Sequence, residues 1–146
     1  MSDFRKLSDQ IWASPQITLE DVAEAKERGF AMIVNNRPEG ESDDQTPGIT
    51  IAQAAEAGGM AYHAIPITHA GFSDAQVNAM NEALDSAEGP VLAYCRSGTR
   101  STLLWSLAKA KKGMGIDEIA QAAANAGYDV SPVRPALENY AAQAGE

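Results

Sequence analysis

The chain has 146 residues, 45% of them hydrophobic and 21% charged, with a formal net charge of −9. These values fit one domain over residues 1–146 with an ordinary core and exclude a disordered polymer. Every apolar run is too short to span a membrane, the N-terminus lacks the apolar stretch of a signal peptide, and the acidic excess disfavours nucleic acid, so a cytoplasmic protein is expected. The single cysteine excludes an internal disulfide, and His63 and His69 lack the spacing of zinc ligands on one helix, so neither metal nor cofactor is expected.

In chain order, Ile11-Trp12-Ala13 reads as a short strand ending at Ser14-Pro15. Thr18 caps a helix, with Asp21 three residues on, that runs to about Gly29. Ala31-Met32-Ile33-Val34 has buried-strand length and ends at Asn35-Asn36-Arg37-Pro38. Residues Glu39 to Gly48 are acidic and rich in turn formers, and an exposed mobile loop is expected there. Ile49 to Ala57 reads as a helix stopped by Gly58-Gly59, and Tyr62 to Ile67 as a strand. Ser73 with Gln76 forms a capping box for a helix to about Ala87. Gly89-Pro90 breaks the chain before a strand over Val91 to Tyr94, and Cys95 follows at its C-terminal end.

A helix from about Thr99 carries Leu103, Leu104, Leu107 and Ala108 on one face, and Lys109, Lys111 and Lys112 suit its C-terminal end. Helices near Ile116 to Ala126 and Arg134 to Gln143 complete the chain. This alternation predicts an α/β domain with a mainly parallel central sheet flanked by helices. Sites in such sheets gather at the C-terminal strand ends. Three segments fall there, namely Asn35 to Pro38, Thr68 to Phe72 and Cys95 to Ser101.

The stretch Cys95-Arg96-Ser97-Gly98-Thr99-Arg100-Ser101 carries the chemistry. A loop entering a helix points unpaired amides at one spot, and with the helix dipole they attract an anion. A cysteine at the start of such a loop is favoured as its thiolate. Gly98 permits the tight turn, and Arg100 offers a planar fork to oxyanions. Arg96, Ser97, Thr99 and Ser101 add donors around the sulfur. Cys95 and Arg100 are thus the expected catalytic pair, and a small anionic sulfur or phosphoryl compound is the expected substrate.

This loop resembles the active-site loops of rhodanese-type sulfurtransferases and of cysteine-dependent phosphatases. Over about residues 3–140 the chain also resembles a family of small bacterial phosphatase-like domains. The matching residues include Ser14-Pro15-Gln16, Asn35-Asn36-Arg37-Pro38, Ile65-Pro66 and Ala126-Gly127-Tyr128-Asp129. The same domain occurs fused to metallo-β-lactamase-like persulfide dioxygenases in the β-lactamase hydrolase-like proteins. The resemblance implies a dual-specificity-phosphatase-like fold. It also implies a persulfide dioxygenase or another sulfide-oxidising enzyme as a partner.

Cysteine-dependent phosphatases place five residues between cysteine and arginine, whereas Arg96 to Thr99 make four here, and Ser101 stands where that arginine would be. Four is the spacing of many rhodaneses. A displaced guanidinium is costly to phosphoryl transfer. Related phosphatases also carry an aspartate after the strand matching Ile65-Pro66-Ile67, where this chain has Thr68-His69-Ala70-Gly71-Phe72-Ser73. Asp74, the first carboxylate, is expected in the first turn of a helix instead. His69 is an alternative acid.

The sequence therefore favours a sulfurtransferase. Cys95 would take sulfane sulfur from thiosulfate or a persulfide and pass it to a thiol or cyanide. The alternatives are a phosphatase working through a phosphocysteine, and a non-catalytic sulfur carrier or anion-binding module. Arg37 either lines the pocket mouth or pairs with the acidic loop at Glu39, Glu41, Asp43 and Asp44. Asn35 and Asn36 either hold the cysteine loop or form the turn. Trp12, Trp105 and Tyr94 are expected in or near the core, and Tyr128 fits either core or site.

Overall fold

A computed structural model describes residues 2–144. Five strands form one sheet in the order β1-β2-β5-β3-β4. They are β1 (Arg5–Lys6), β2 (Ile11–Ser14), β3 (Met32–Asn35), β4 (Ala61–Ala64) and β5 (Val91–Tyr94). All neighbouring pairs are parallel except β1 with β2. The helices are α1 (Leu19–Glu27), α2 (Gly48–Ala57), α3 (Asp74–Ser86), α4 (Thr99–Lys111), α5 (Ile116–Asn125) and α6 (Arg134–Ala144), with a 3₁₀ turn at Ser131–Val133.

Both expected capping boxes are present, Thr18 with Asp21 on α1 and Ser73 with Gln76 on α3. Strand alternation sorts the core into two layers. Met32, Val34, Val91 and Ala93 pack in one cluster with residues of α3 to α6. Ile33, Leu92 and Tyr94 face the other way, into a cluster with Val22, Ala25, Ile51 and Ala55 of α1 and α2. The central strands are thus apolar on both faces, as a sheet covered on both sides requires.

The structure departs from the sequence pattern in three places. A two-residue β1 pairs Arg5 with Ala13 and Lys6 with Trp12, too short a segment to carry a period. The strand expected to reach Ile67 ends at Ala64, and the chain then follows β3 through Ile65 N–H to Asn35 O and Ile67 N–H to Asn36 O. Pro66 lies between these two bonds and has no N–H to add to a ladder.

Helix α4 is not one-sided either, for every residue from Ser101 to Ala108 is buried. It packs against α3, α5 and α6 as well as β2. Its interior hydroxyls are satisfied locally, Thr102 Oγ1 donating to Gly98 O and Ser106 Oγ to Thr102 O. Among the described residues no helix is long and apolar enough to cross a membrane.

The register sets the site. Ser14 of β2 and Asn35 of β3 both pair with Tyr94 of β5, so three strands end level. Cys95 emerges between the segments that follow β2 and β3.

Candidate active site

The cysteine loop is stitched to both neighbours. Cys95 N–H donates to Ser14 O at 3.3 Å, and Gln16 N–H donates to Arg96 O at 3.2 Å. On the other side Asn36 N–H donates to Tyr94 O at 2.8 Å. Gly98 is the N-cap of α4 with φ of 91°, in the left-handed region that glycine enters at little cost. Its N–H donates to Cys95 Sγ at 3.1 Å. The sulfur thus accepts an amide at the N-terminus of a thirteen-residue helix, the positive end of its dipole. Cys95 itself is fully buried.

Arg100, in the first turn of α4, reaches back across the loop. Its Nη1 donates to Ile67 O at 2.8 Å and to Glu41 Oε2 at 2.8 Å, and its Nη2 donates to Glu41 Oε1 at 2.9 Å. Arg37 joins the same carboxylate, with Nε on Glu41 Oε1 at 2.9 Å. The Arg37 guanidinium also donates to Gln16 Oε1 at 2.9 Å and Ser42 Oγ at 3.0 Å. Glu41 therefore answers two arginines. The Arg100 hydrogen bonds foremost, and then those of Arg37, overcome the cost of burial and hold its carboxyl down at about 2. Arg100 is held above its usual value, mainly by Glu41.

A cavity of about 540 Å³ opens over this cluster, its wall including Glu39, Glu41, His69, Arg96, Ser97 and Arg100. Arg96, Ser97 and Arg100 therefore line one cavity. Ser97 Oγ donates to Thr99 Oγ1 at 3.0 Å, so these two hydroxyls form a pair at the loop surface. Glu39 is turned toward α2, where its Oε1 accepts from Gly48 N–H at 2.9 Å. Asp74 lies in the first turn of α3 as expected and accepts from the Tyr140 hydroxyl.

Two residues assigned to anion binding from sequence stand elsewhere. Ser101 is fully buried, and its Oγ donates to Asn36 Oδ1 at 2.8 Å. One residue past Arg100 on a helix enclosed by the core, it points inward. Arg37 is also buried and meets the acidic loop through Glu41, so it reaches the pocket only through that shared carboxylate. The two asparagines divide their expected roles. Asn36 holds the start of α4 through Ser101, while Asn35 Oδ1 accepts from Arg37 N–H at 2.9 Å and forms the turn.

The segment over 39–48 is exposed in part, but Glu41 pins it to the site. Sequence reasoning named Glu41 only as one of four acidic residues that could pair with Arg37, and its contact with Arg100 was not foreseen. The charge of Glu41 beside Arg37 was the available signal. Trp105 and Tyr94 lie in the core, with Trp12 packed at its margin.

The architecture is that of the dual-specificity phosphatases. A kinase associated phosphatase, solved with its catalytic-site cysteine replaced by serine, superposes with a TM-score of 0.71 at 15% identity, covering 99% of this chain and 96% of that one. A presumed phosphatase from Neisseria meningitidis Z2491 superposes with a TM-score of 0.84 at 35% identity, covering 96% and 99% of the two chains. A beta-lactamase hydrolase-like protein of Xylella fastidiosa strain 9a5c is 30% identical over 138 residues, 94% of this chain. The chain spans about a third of that relative's length, 32%. The family described as "Beta-lactamase hydrolase-like protein, phosphatase-like domain" matches residues 3–112. With that match over residues 3–112 and a fold shared with these phosphatase-like proteins, the chain belongs to this phosphatase-like domain family.

Proposed function

We propose that the site is that of a cysteine-dependent phosphatase acting on a small phosphoryl anion through a phosphocysteine. The observation that carries this reading is Arg100. Despite the four-residue spacing, Arg100 lines the same cavity as Ser97, and the Cys95 sulfur at the base of the loop accepts the Gly98 amide. The spacing argument for sulfur transfer held that the shorter loop displaces the guanidinium from the phosphoryl oxygens. With Arg100 in the pocket wall and a phosphatase fold around it, that preference gives way to the phosphatase alternative.

In this mechanism the Cys95 thiolate attacks phosphorus. The P–S bond forms as the P–O ester bond breaks, and the leaving oxygen takes a proton. Loop amides and Arg100 stabilise the charge on the equatorial oxygens. Water then attacks the phosphocysteine, the P–S bond breaks, and inorganic phosphate leaves with the thiolate restored. His69 is the proton donor in this reading. Of the carboxylates in the pocket wall, Glu41 is held ionised by its arginines and Glu39 is committed to Gly48.

The same scarcity of a free carboxylic acid favours one second reading. Sulfur transfer from thiosulfate or a persulfide needs no protonated leaving alcohol. Its partner would be a sulfide-oxidising enzyme such as a persulfide dioxygenase. Purified protein given an activated aryl phosphate, and separately thiosulfate with cyanide, separates the two beside a Cys95→Ser control. Phosphate release lost in the control supports the phosphatase. Thiocyanate formation lost in the control, without phosphate release, replaces it with sulfur transfer.

A further inference from the structure

The Ser97–Gly98 peptide is gripped on both edges. Its N–H, from Gly98, donates to Cys95 Sγ at 3.1 Å. Its carbonyl, from Ser97, accepts from the Tyr128 hydroxyl at 3.0 Å. In a trans peptide these groups point in opposite directions, and the described chain contains no cis peptide. Tyr128 therefore lies at the edge of the peptide opposite the nucleophile.

That plane needs an anchor. Flipping it changes ψ of Ser97 and φ of Gly98, and glycine adopts positive and negative φ with similar ease. A flip would replace the donor facing the sulfur with a carbonyl oxygen, repelling a thiolate. A side chain at residue 98 would resist the flip, yet a Cβ there would overlap the Tyr128 hydroxyl. The close approach of Tyr128 thus demands glycine, and the hydroxyl supplies the restraint that glycine lacks.

Arg5 holds both the Tyr128 ring and the turn that precedes it. The Arg5 guanidinium lies over the Tyr128 ring, 5.1 Å from the centroid. Arg5 Nη1 also donates to Ala126 O at 3.5 Å, just before the turn at Gly127. Burial raises the Tyr128 hydroxyl above its ordinary pKa, which keeps it a donor. The short β1 thereby gains a purpose, since its pairing with β2 places Arg5 over the ring.

We infer that Tyr128 is a positioning residue, whose hydroxyl fixes the Ser97–Gly98 peptide so that the Gly98 N–H faces the Cys95 sulfur. The inference holds for either chemistry, because phosphoryl and sulfur transfer both begin from the Cys95 thiolate.

The single cysteine makes a direct test practical. The full chain, labelled with carbon-13 at the cysteine Cβ, is titrated by NMR as wild type, Tyr128→Phe and Val130→Ala. Val130 is buried near Tyr128 in sequence, so its truncation reports loss of packing without touching the hydroxyl. The titration midpoint in Tyr128→Phe is expected to rise by about one pH unit, the worth of one charge-assisted hydrogen bond. In the wild type the Gly98 amide resonance should follow the same titration, and in Tyr128→Phe that coupling should weaken. An unchanged midpoint in Tyr128→Phe overturns the inference, and so does an equal rise in Val130→Ala.

Discussion

Glu41 and Arg100, 59 residues apart in sequence, meet through two hydrogen bonds of 2.8 and 2.9 Å. The carboxylate grips the Nη1–Nη2 end of the guanidinium and so fixes its plane. It also neutralises Arg37, whose side chain is only 4% exposed. Replacing Glu41 with alanine leaves a buried cation short of its acceptor and lets Arg100 swing. Glu41→Ala is expected to lose about 2–3 kcal/mol of stability and at least about tenfold in kcat/KM. Glu41→Gln retains the length and one acceptor oxygen and should lose less of both. Urea unfolding and initial rates on one aryl phosphate measure the two effects.

The same contact predicts an acid limit. The native Glu41 carboxyl titrates at about 2, below its ordinary value, because Arg100 foremost and Arg37 next favour the ionised form. A lowered native pKa stabilises the fold above the unfolded-state pKa, and that stability fades as pH falls through the native value. The loss therefore falls between about pH 4.5 and 2. Its size is about 1–2 kcal/mol once solvent screening at this partly exposed site is counted. Thermal unfolding of wild type against Glu41→Gln across that window checks the sign, and the gap between them should close toward pH 2.

Ser101 supplies a contrasting case. Its hydroxyl is committed to Asn36, whose Nδ2 donates to Ile65 O at 2.9 Å, and all of these atoms are buried from the pocket. The chain Ser101–Asn36–Ile65 ties α4, the end of β3 and the segment after β4 together. Asn36→Leu should cost about 2–4 kcal/mol, since it strands a buried hydroxyl and a carbonyl. Ser101→Ala should cost about 1–2 kcal/mol by leaving one amide oxygen unpaired. Inhibition by inorganic phosphate should nevertheless stay within about twofold in Ser101→Ala, for no lost atom touches the anion. A larger change would return Ser101 to the substrate site.

What the sequence revealed was local. Thr18 with Asp21 and Ser73 with Gln76 are read within one helical turn, and both boxes formed. The apolar runs at Met32 to Val34 and Val91 to Tyr94 have the length of buried strands, and the cysteine loop carries its donors in consecutive residues. Long-range geometry was hidden. Nothing near Glu41 indicates that it meets Arg100, and the inward aim of Ser101 follows from four neighbours burying α4 on all sides. Counting residues from Cys95 to Arg100 likewise does not show that the guanidinium meets Glu41 and Ile67 O. The count is made along the chain, whereas the reach depends on where the left-handed turn at Gly98 sets the start of the helix.

His69 gives the last prediction its form. It lines the same cavity as Arg96, Ser97 and Arg100, in the segment between β4 and α3. A proton donor matters in proportion to the basicity of the leaving oxygen. A dinitrophenolate departs without help, while an alkoxide or phenoxide does not. Replacing His69 with asparagine should leave turnover of a dinitrophenyl ester nearly unchanged and slow a phenyl ester by about a hundredfold. Rates over a series of aryl phosphates would then show a steeper dependence on leaving-group basicity in His69→Asn than in the wild type. Coincident dependences would remove His69 from the reaction, whereas a parallel dependence displaced to lower rates would make it a binding group. Cys95→Ser should abolish turnover across the whole series, because the nucleophile acts before the identity of the leaving group matters.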